Sequence, residues 1–126
     1  MHCGEAFLLF DDESFSGTPH LHIVIAEPDE AGQLVLVSIT TRRAKSDTMV
    51  CLDAGDHPFI THPSVITYAY SKIITVTKLA EMVTSGDATP KERASDALVG
   101  RAQKGMLETD RAPREVQQLF RSIHGW

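Results

Sequence analysis

The stretch HLHIVIAEPDEAGQLVLVSITT, residues 20–41, decides the fold. Residues 20–26 (HLHIVIA) and 33–41 (QLVLVSITT) are short, apolar and rich in β-branched side chains, and Pro28, Asp29 and Gly32 stand between them. β-Branched residues suit a pleated surface, and that trio supplies turn chemistry, so the stretch predicts two antiparallel strands joined by a turn.

Further on, TMVCLDAG (48–55) alternates and ends at Asp53 and Gly55, which predicts a third strand. Pro58 and Pro63 cannot donate to a sheet ladder, so 53–63 is expected to be an irregular polar loop. The β-rich runs 65–70 and 72–76 then predict one or two further strands.

The period changes in the last third. Residues 78–85 predict a short helix closed by Gly86, and Thr89-Pro90-Lys91-Glu92 has the Thr-x-x-Glu form of a capping box with proline at the first helical position. A helix over about 90–104, ended by Gly105, is expected from it. Pro113 opens a second helix, in which Val116, Leu119, Phe120 and Ile123 recur at helical spacing. Strands first and helices last, without βαβ alternation, give a mainly β (α+β) class: a small SH3-like barrel or rolled antiparallel sheet with helices packed at the end of the chain.

With 126 residues, the chain is expected to form a single domain, 1–126, with a β core over 1–87 and a helical extension over 88–126. Hydrophobic and charged fractions of 42% and 23% are ordinary for a globular protein and argue against disorder. Cys3 and Cys51 show no CxxC spacing, so a reducing, cytoplasmic compartment is the expectation. The apolar run 6–10 lacks a basic flank and is followed by acids, so it fails as a signal peptide. No apolar run approaches the ~18 residues of a membrane span, and no membrane partner is expected.

Charge is unevenly spread. Residues 1–87 carry 5 Lys/Arg against 12 Asp/Glu, a balance of -7, and residues 88–126 carry 7 against 5, a balance of +2, which together give the net -5. Any phosphate-binding footprint must therefore be local.

On a strand, His20 and His22 point to one face about 6.6 Å apart, a spacing open to a metal, to catalysis, or to solvated imidazoles on the exposed face of the strand. A zinc site would need a third ligand, and the 53–63 loop offers Asp53, Asp56, His57 and His62 without a recognisable spacing; no metal and no cofactor is expected. Thr40, Thr41, Arg42 and Arg43 end an apolar strand and, with Lys45, form the basic cluster of the first 87 residues. Guanidinium groups and hydroxyls there suit a phosphate, and a solubilising hairpin tip would look the same. Imidazoles titrate near ~6.5, so His57 and His62 are also candidate general acid and base. Ser64, Tyr68 and Tyr70 fall on alternate positions, where the tyrosines could stack on bases or pack in a core. No P-loop, GxGxxG, HExxH or Gx-Ser-x-Gly signature is present.

Taken together, GTPHLHIVIAEPD, LVLVSITT and PSVITYAYSKIITVTKL resemble the succession of segments in the MazF/PemK (Kid) toxin family, over about residues 16–80. On that overlay His20 stands where the family has an arginine, Leu21 at the following proline, Thr40 and Thr41 at a Thr-Ser pair, and Ser64 and Val65 at a later serine segment. The resemblance implies an SH3-like barrel, usually a homodimer, that cleaves RNA at specific sequences without a metal and is neutralised by a small antitoxin protein of a type II toxin-antitoxin system. Joined to the reading of the residues above, it leaves His20, His22, Thr40 and Arg42 as the candidate catalytic residues, and Thr41, Arg43, Lys45, His57, Ser64 and Tyr68 as the candidate substrate contacts. Two rivals stand beside it: a non-catalytic module of the same shape that binds protein or nucleic acid, and a small metal-dependent hydrolase using His20 and His22.

Overall fold

The structure is a computed structural model that describes residues 1–10 and 17–124. The acids that follow the first apolar run, at 11–13, lie outside the described residues.

The decisive hairpin forms as the sequence predicts. β2 (His20–Val24) and β3 (Gln33–Thr41) pair antiparallel, with Ile23 opposite Val37 and His22 opposite Ser38. Asp29 builds the turn: its Oδ1 accepts from the Ala31 N–H at 3.0 Å and from the Gln33 N–H at 2.7 Å. Four further strands complete one antiparallel sheet. These are β1 (Ala6–Leu9), β4 (Cys51–Leu52), β5 (Ser64–Thr75) and β6 (Thr89–Lys91), in the spatial order β4-β5-β3-β2-β1-β6. The sheet curls into a half-barrel.

The third strand expected over 48–55 shortens to Cys51–Leu52. The two runs after Pro63 become one strand bent by a bulge, where the step from Ser38 to Leu36 on β3 spans Thr67 to Lys72 on β5. The helix α1 spans Val76–Ser85; Thr75 caps its start by accepting from the Lys78 N–H at 3.0 Å, and Gly86 ends it at φ 88°. That left-handed conformation is one a glycine adopts without a steric penalty.

The helix expected from Thr89 is a correction. Thr89, Pro90 and Lys91 pair with Leu8, Phe7 and Ala6 as an edge strand, where a proline's missing N–H leaves no ladder bond unmade. The helix α2 begins six residues later and spans Asp96–Glu108; Ser95 caps it by accepting from the Leu98 N–H at 3.1 Å. Nor does Gly105 end it. Gly105 lies inside α2 because a side chain there would overlap the Tyr68 hydroxyl and come within 2.7 Å of its Cζ. The last helix, α3 (Arg114–His124), follows Pro113 as expected and buries Val116 and Phe120.

Strict alternation sorts the strands onto two faces. Leu21, Ile23, Val35, Val37, Ile39, Ile66 and Tyr68 form one core with Leu98, Ala102 and Met106 of α2 and with Val116 and Phe120 of α3. The helices therefore share the sheet's own core. Phe7, Leu9, Val24, Leu34 and Leu36 occupy the opposite face under Leu79 of α1.

The curl brings the loop after β4 against the segment after β6. His57, 2% exposed, donates from Nε2 to the Glu92 carbonyl at 2.5 Å, while its Nδ1 accepts from the Phe59 N–H at 3.0 Å. A carbonyl only accepts and an amide only donates, so the ring is the Nε2–H tautomer. Arg101 of α2 donates to the Cys51 carbonyl on β4, which ties the helix to the other edge strand. Among the described residues no helix is long and apolar enough to cross a membrane.

Candidate functional site

The face under α1 changes character along its length. Leucine, valine and phenylalanine make up its apolar part, and His22 of β2, Ser38 of β3 and Thr67 of β5 stand opposite one another on it in a polar row across three strands. Just past the pair of Leu21 with Ile39 stand His20, at the start of β2, and Thr40, near the end of β3. Thr40 Oγ1 lies 2.7 Å from Thr67 Oγ1. His20, Thr40 and Thr67 are half-buried, whereas His22 and Ser38 are both 0% exposed.

The exposed position expected for His22 is thereby corrected. Its ring packs inside the sheet face, where Nδ1 donates to the His20 carbonyl at 2.9 Å. Phe7 on β1 stands directly opposite it, so the alternation that carries His22 onto this face also carries it under an aromatic neighbour. Burying an imidazole requires its nitrogens to be paired, and this bond pairs one.

Beyond Thr40, the chain leaves the sheet as a basic loop. Thr41, Arg42, Arg43 and Lys45 are all exposed. The loop is anchored by its backbone: the Arg42 N–H donates to the Pro63 carbonyl at 3.1 Å and the Arg43 N–H to Ser46 Oγ at 2.7 Å. Thr41 Oγ1 meets His62 Nε2 at 2.9 Å, and Ser64 donates to the His62 carbonyl at 3.0 Å. His20, Thr40, Thr41, Arg42, His62 and Ser64 thus gather at one end of the sheet, where β2 begins, β3 ends and β5 begins.

Two expected substrate contacts lie elsewhere. Tyr68 is 0% exposed on the helix-covered face and donates to the Ala102 carbonyl at 2.8 Å, so its ring offers no surface to a base. Burial pushes its phenol well above the ordinary range, with the nearby Asp47 charge adding and Arg101 opposing. His57 is the buried tie between loop and edge strand described above. Residue type alone points to both, and burial of a tyrosine or histidine is invisible until the opposing helix or strand is known.

Residue type alone also missed Ser38 and Thr67. They complete the polar row, and alternation on β3 and β5 was the signal available for them. Among the described residues no group of three or more His, Cys, Asp or Glu side chains is placed to hold a metal ion. His57 turns to Glu92 and His62 to Thr41. Two surface hollows lie away from the site. One runs along α1, past Val76, Ala80 and Thr84, and the other sits between Phe7, Val83, Pro90 and Arg93.

No protein-family model matches the chain, and no curated protein matches it.

Proposed function

We propose that the chain is a PemK/MazF-like toxin, an endoribonuclease that needs no metal, with the His20 and Thr40 end of the sheet as its reaction site. The observation that carries this reading is the gathering at one sheet end of an imidazole, a hydroxyl and the exposed guanidinium groups of Arg42 and Arg43. Metal-free cleavage of RNA has the 2′-oxygen attack the adjacent phosphorus and the 5′-oxygen leave. It needs a group to take the 2′-OH proton, a group to protonate the leaving oxygen, and donors for the charge that builds on the phosphate. His20 takes the 2′-OH proton and, so protonated, returns it to the leaving 5′-oxygen; Arg42 faces the phosphate charge, and Thr40, held by Thr67, supplies a neutral donor. His22 acts as a positioning residue through its bond to the His20 backbone. Thr41, Arg43 and Lys45 contact neighbouring phosphates. The same reading brings a cytoplasmic setting, a homodimer and a small antitoxin partner.

A second reading is a non-catalytic half-barrel that binds RNA with the same basic loop. It is favoured by the exposure of Arg42, Arg43 and Lys45, which can contact phosphates with no catalytic group involved.

The test is cleavage of a long mixed-sequence RNA, with and without EDTA, by wild type and by His20→Ala. The expected result is EDTA-resistant cleavage that falls about a hundredfold or more in the variant, the scale of acid–base catalysis. Cleavage at an unchanged rate by His20→Ala would remove the site assignment. RNA binding without cleavage by wild type would establish the second reading.

A further inference from the structure

Large apolar side chains stand exposed at three described positions: Met49 and Phe59 at 43% and Tyr70 at 50%. Two of the three belong to the loops that flank Arg42, one following β3 and the other following β4. Phe59 is the more constrained in its backbone. Its N–H donates to the buried His57 ring, the Ile60 N–H donates to the His57 carbonyl at 2.9 Å, and the Gly55 N–H donates to the Ile60 carbonyl at 3.1 Å. His57 and Ile60, its neighbours on this pinned turn, are 2% and 5% exposed. The fold therefore holds the backbone at Phe59 in place while directing its ring outward.

One cation lies against that ring, and the 42–45 loop is tied to the same stretch of chain. Lys91 Nζ lies 5.4 Å from the Phe59 ring centroid, within cation–π reach. Only four residues of chain, at most about 14 Å, separate Phe59 from Pro63, whose carbonyl holds the Arg42 N–H. Neither Arg42, Arg43 nor Lys45 has an ion-pair partner among the described residues. An exposed ring and a basic loop on one stretch of surface are the combination by which single-stranded nucleic acid is held: charge tracks the backbone and the ring stacks on a base.

We infer that Phe59 is a base-stacking residue for single-stranded RNA whose phosphates run over the 42–45 loop. The inference rests on the RNA-acting reading above and adds to it a position outside the His20 end of the sheet. A protein partner would also bury an exposed phenylalanine, but Lys91 against the ring and three arginine and lysine side chains without an ion-pair partner on the loop tied to Pro63 match a polyanion better than an apolar patch.

The experiment is fluorescence anisotropy of an end-labelled, mixed-sequence single-stranded RNA whose 2′-oxygens are methylated, so that the proposed reaction cannot cut it, titrated with the full chain as wild type, Phe59→Ala, Phe59→Trp and Arg42→Ala. Phe59→Ala is expected to bind about five- to a hundredfold more weakly, the range for losing one stacked base. Phe59→Trp is expected to restore binding, and its added indole emission to be quenched by RNA beyond any change shown by wild type. Melting curves of each variant distinguish lost stacking from lost fold, and rescue by tryptophan confirms the distinction. If wild type binds this RNA and Phe59→Ala binds equally well, the stacking inference alone is overturned. If Phe59→Ala keeps its RNA affinity but loses self-association in sedimentation, the ring is a protein contact and the inference also falls. If wild type does not bind the RNA, both this inference and the RNA-acting reading fail.

Discussion

At the scale of single residues, Gly105 shows how a sequence signal acquires a different cause once neighbours are present. A glycine near the end of a helical pattern reads as a terminator, yet Gly105 sits inside α2 with the Tyr68 ring against its backbone and Val50 Cγ2 3.0 Å from where a Cβ would stand. In an exposed helix interior, alanine is favoured over glycine by about 1 kcal/mol. Here the added methyl must displace Tyr68, which is 0% exposed and bonded to the Ala102 carbonyl, and overpacking of that kind costs about 1–3 kcal/mol. Gly105→Ala is therefore expected to lower the melting temperature by several degrees, and Gly105→Ala with Tyr68→Phe to recover part of the loss, because the hydroxyl is the nearest obstacle. A melting temperature raised by Gly105→Ala alone would show that the close approach does not hold. The same ring explains why Tyr68 was misread as a substrate contact: residue type and alternation are visible in a sequence, whereas the helix that covers one face is not.

At the scale of elements, the hairpin, the bulged β5, α1 and α3 were legible because local preference and tertiary environment agree in them. Where they conflict, the environment wins, as the segment from Thr89 shows. Its capping-box pattern is a local helix signal. β1, however, presents an otherwise unpaired edge, and pairing Ala6 with Lys91 and Leu8 with Thr89 satisfies backbone groups of both strands. The apolar run 6–10 reads in the sequence only as a failed signal peptide, so neither β1 nor β6 is legible there. The true start of α2 carries a sharper signature in Ser95, whose side chain accepts from the Leu98 N–H. Ser95→Ala is expected to cost about 1 kcal/mol and to lower the melting temperature by a few degrees, while Thr89→Ala, exposed on an edge strand, is expected to change it little. The opposite ranking in thermal melts of the two variants would place the helix start at Thr89 after all.

At the scale of the whole molecule, the question is how a chain of net charge -5 could hold a polyanion. The described ion pairs, His2 with Glu27 at 3.3 Å and Arg101 with Asp56 at 3.7 Å, lie outside the 42–45 loop. Arg42, Arg43 and Lys45 are thus a patch of three exposed cations on a chain whose net charge is otherwise acidic. The gathering of His20, Thr40 and Arg42 at one end was partly legible, since a hairpin fixes which strand end meets which. The burial of His22 and the tie from His57 to Glu92 were not, because both depend on strands far along the chain. A footprint this small has a measurable consequence. Each neutralised phosphate of a single strand releases condensed counterions and contributes roughly -0.7 to the slope of log affinity against log salt, so three contacts predict a slope of about -2. Binding of the same single-stranded RNA measured over a range of salt concentrations is expected to give that value, and Arg42→Ala to reduce its magnitude by roughly a third. A slope of about -4 or steeper would mean that Arg101, Lys104 and the basic residues of α3 also touch the strand, and the RNA path would then cross the helices instead of keeping to the open end of the sheet.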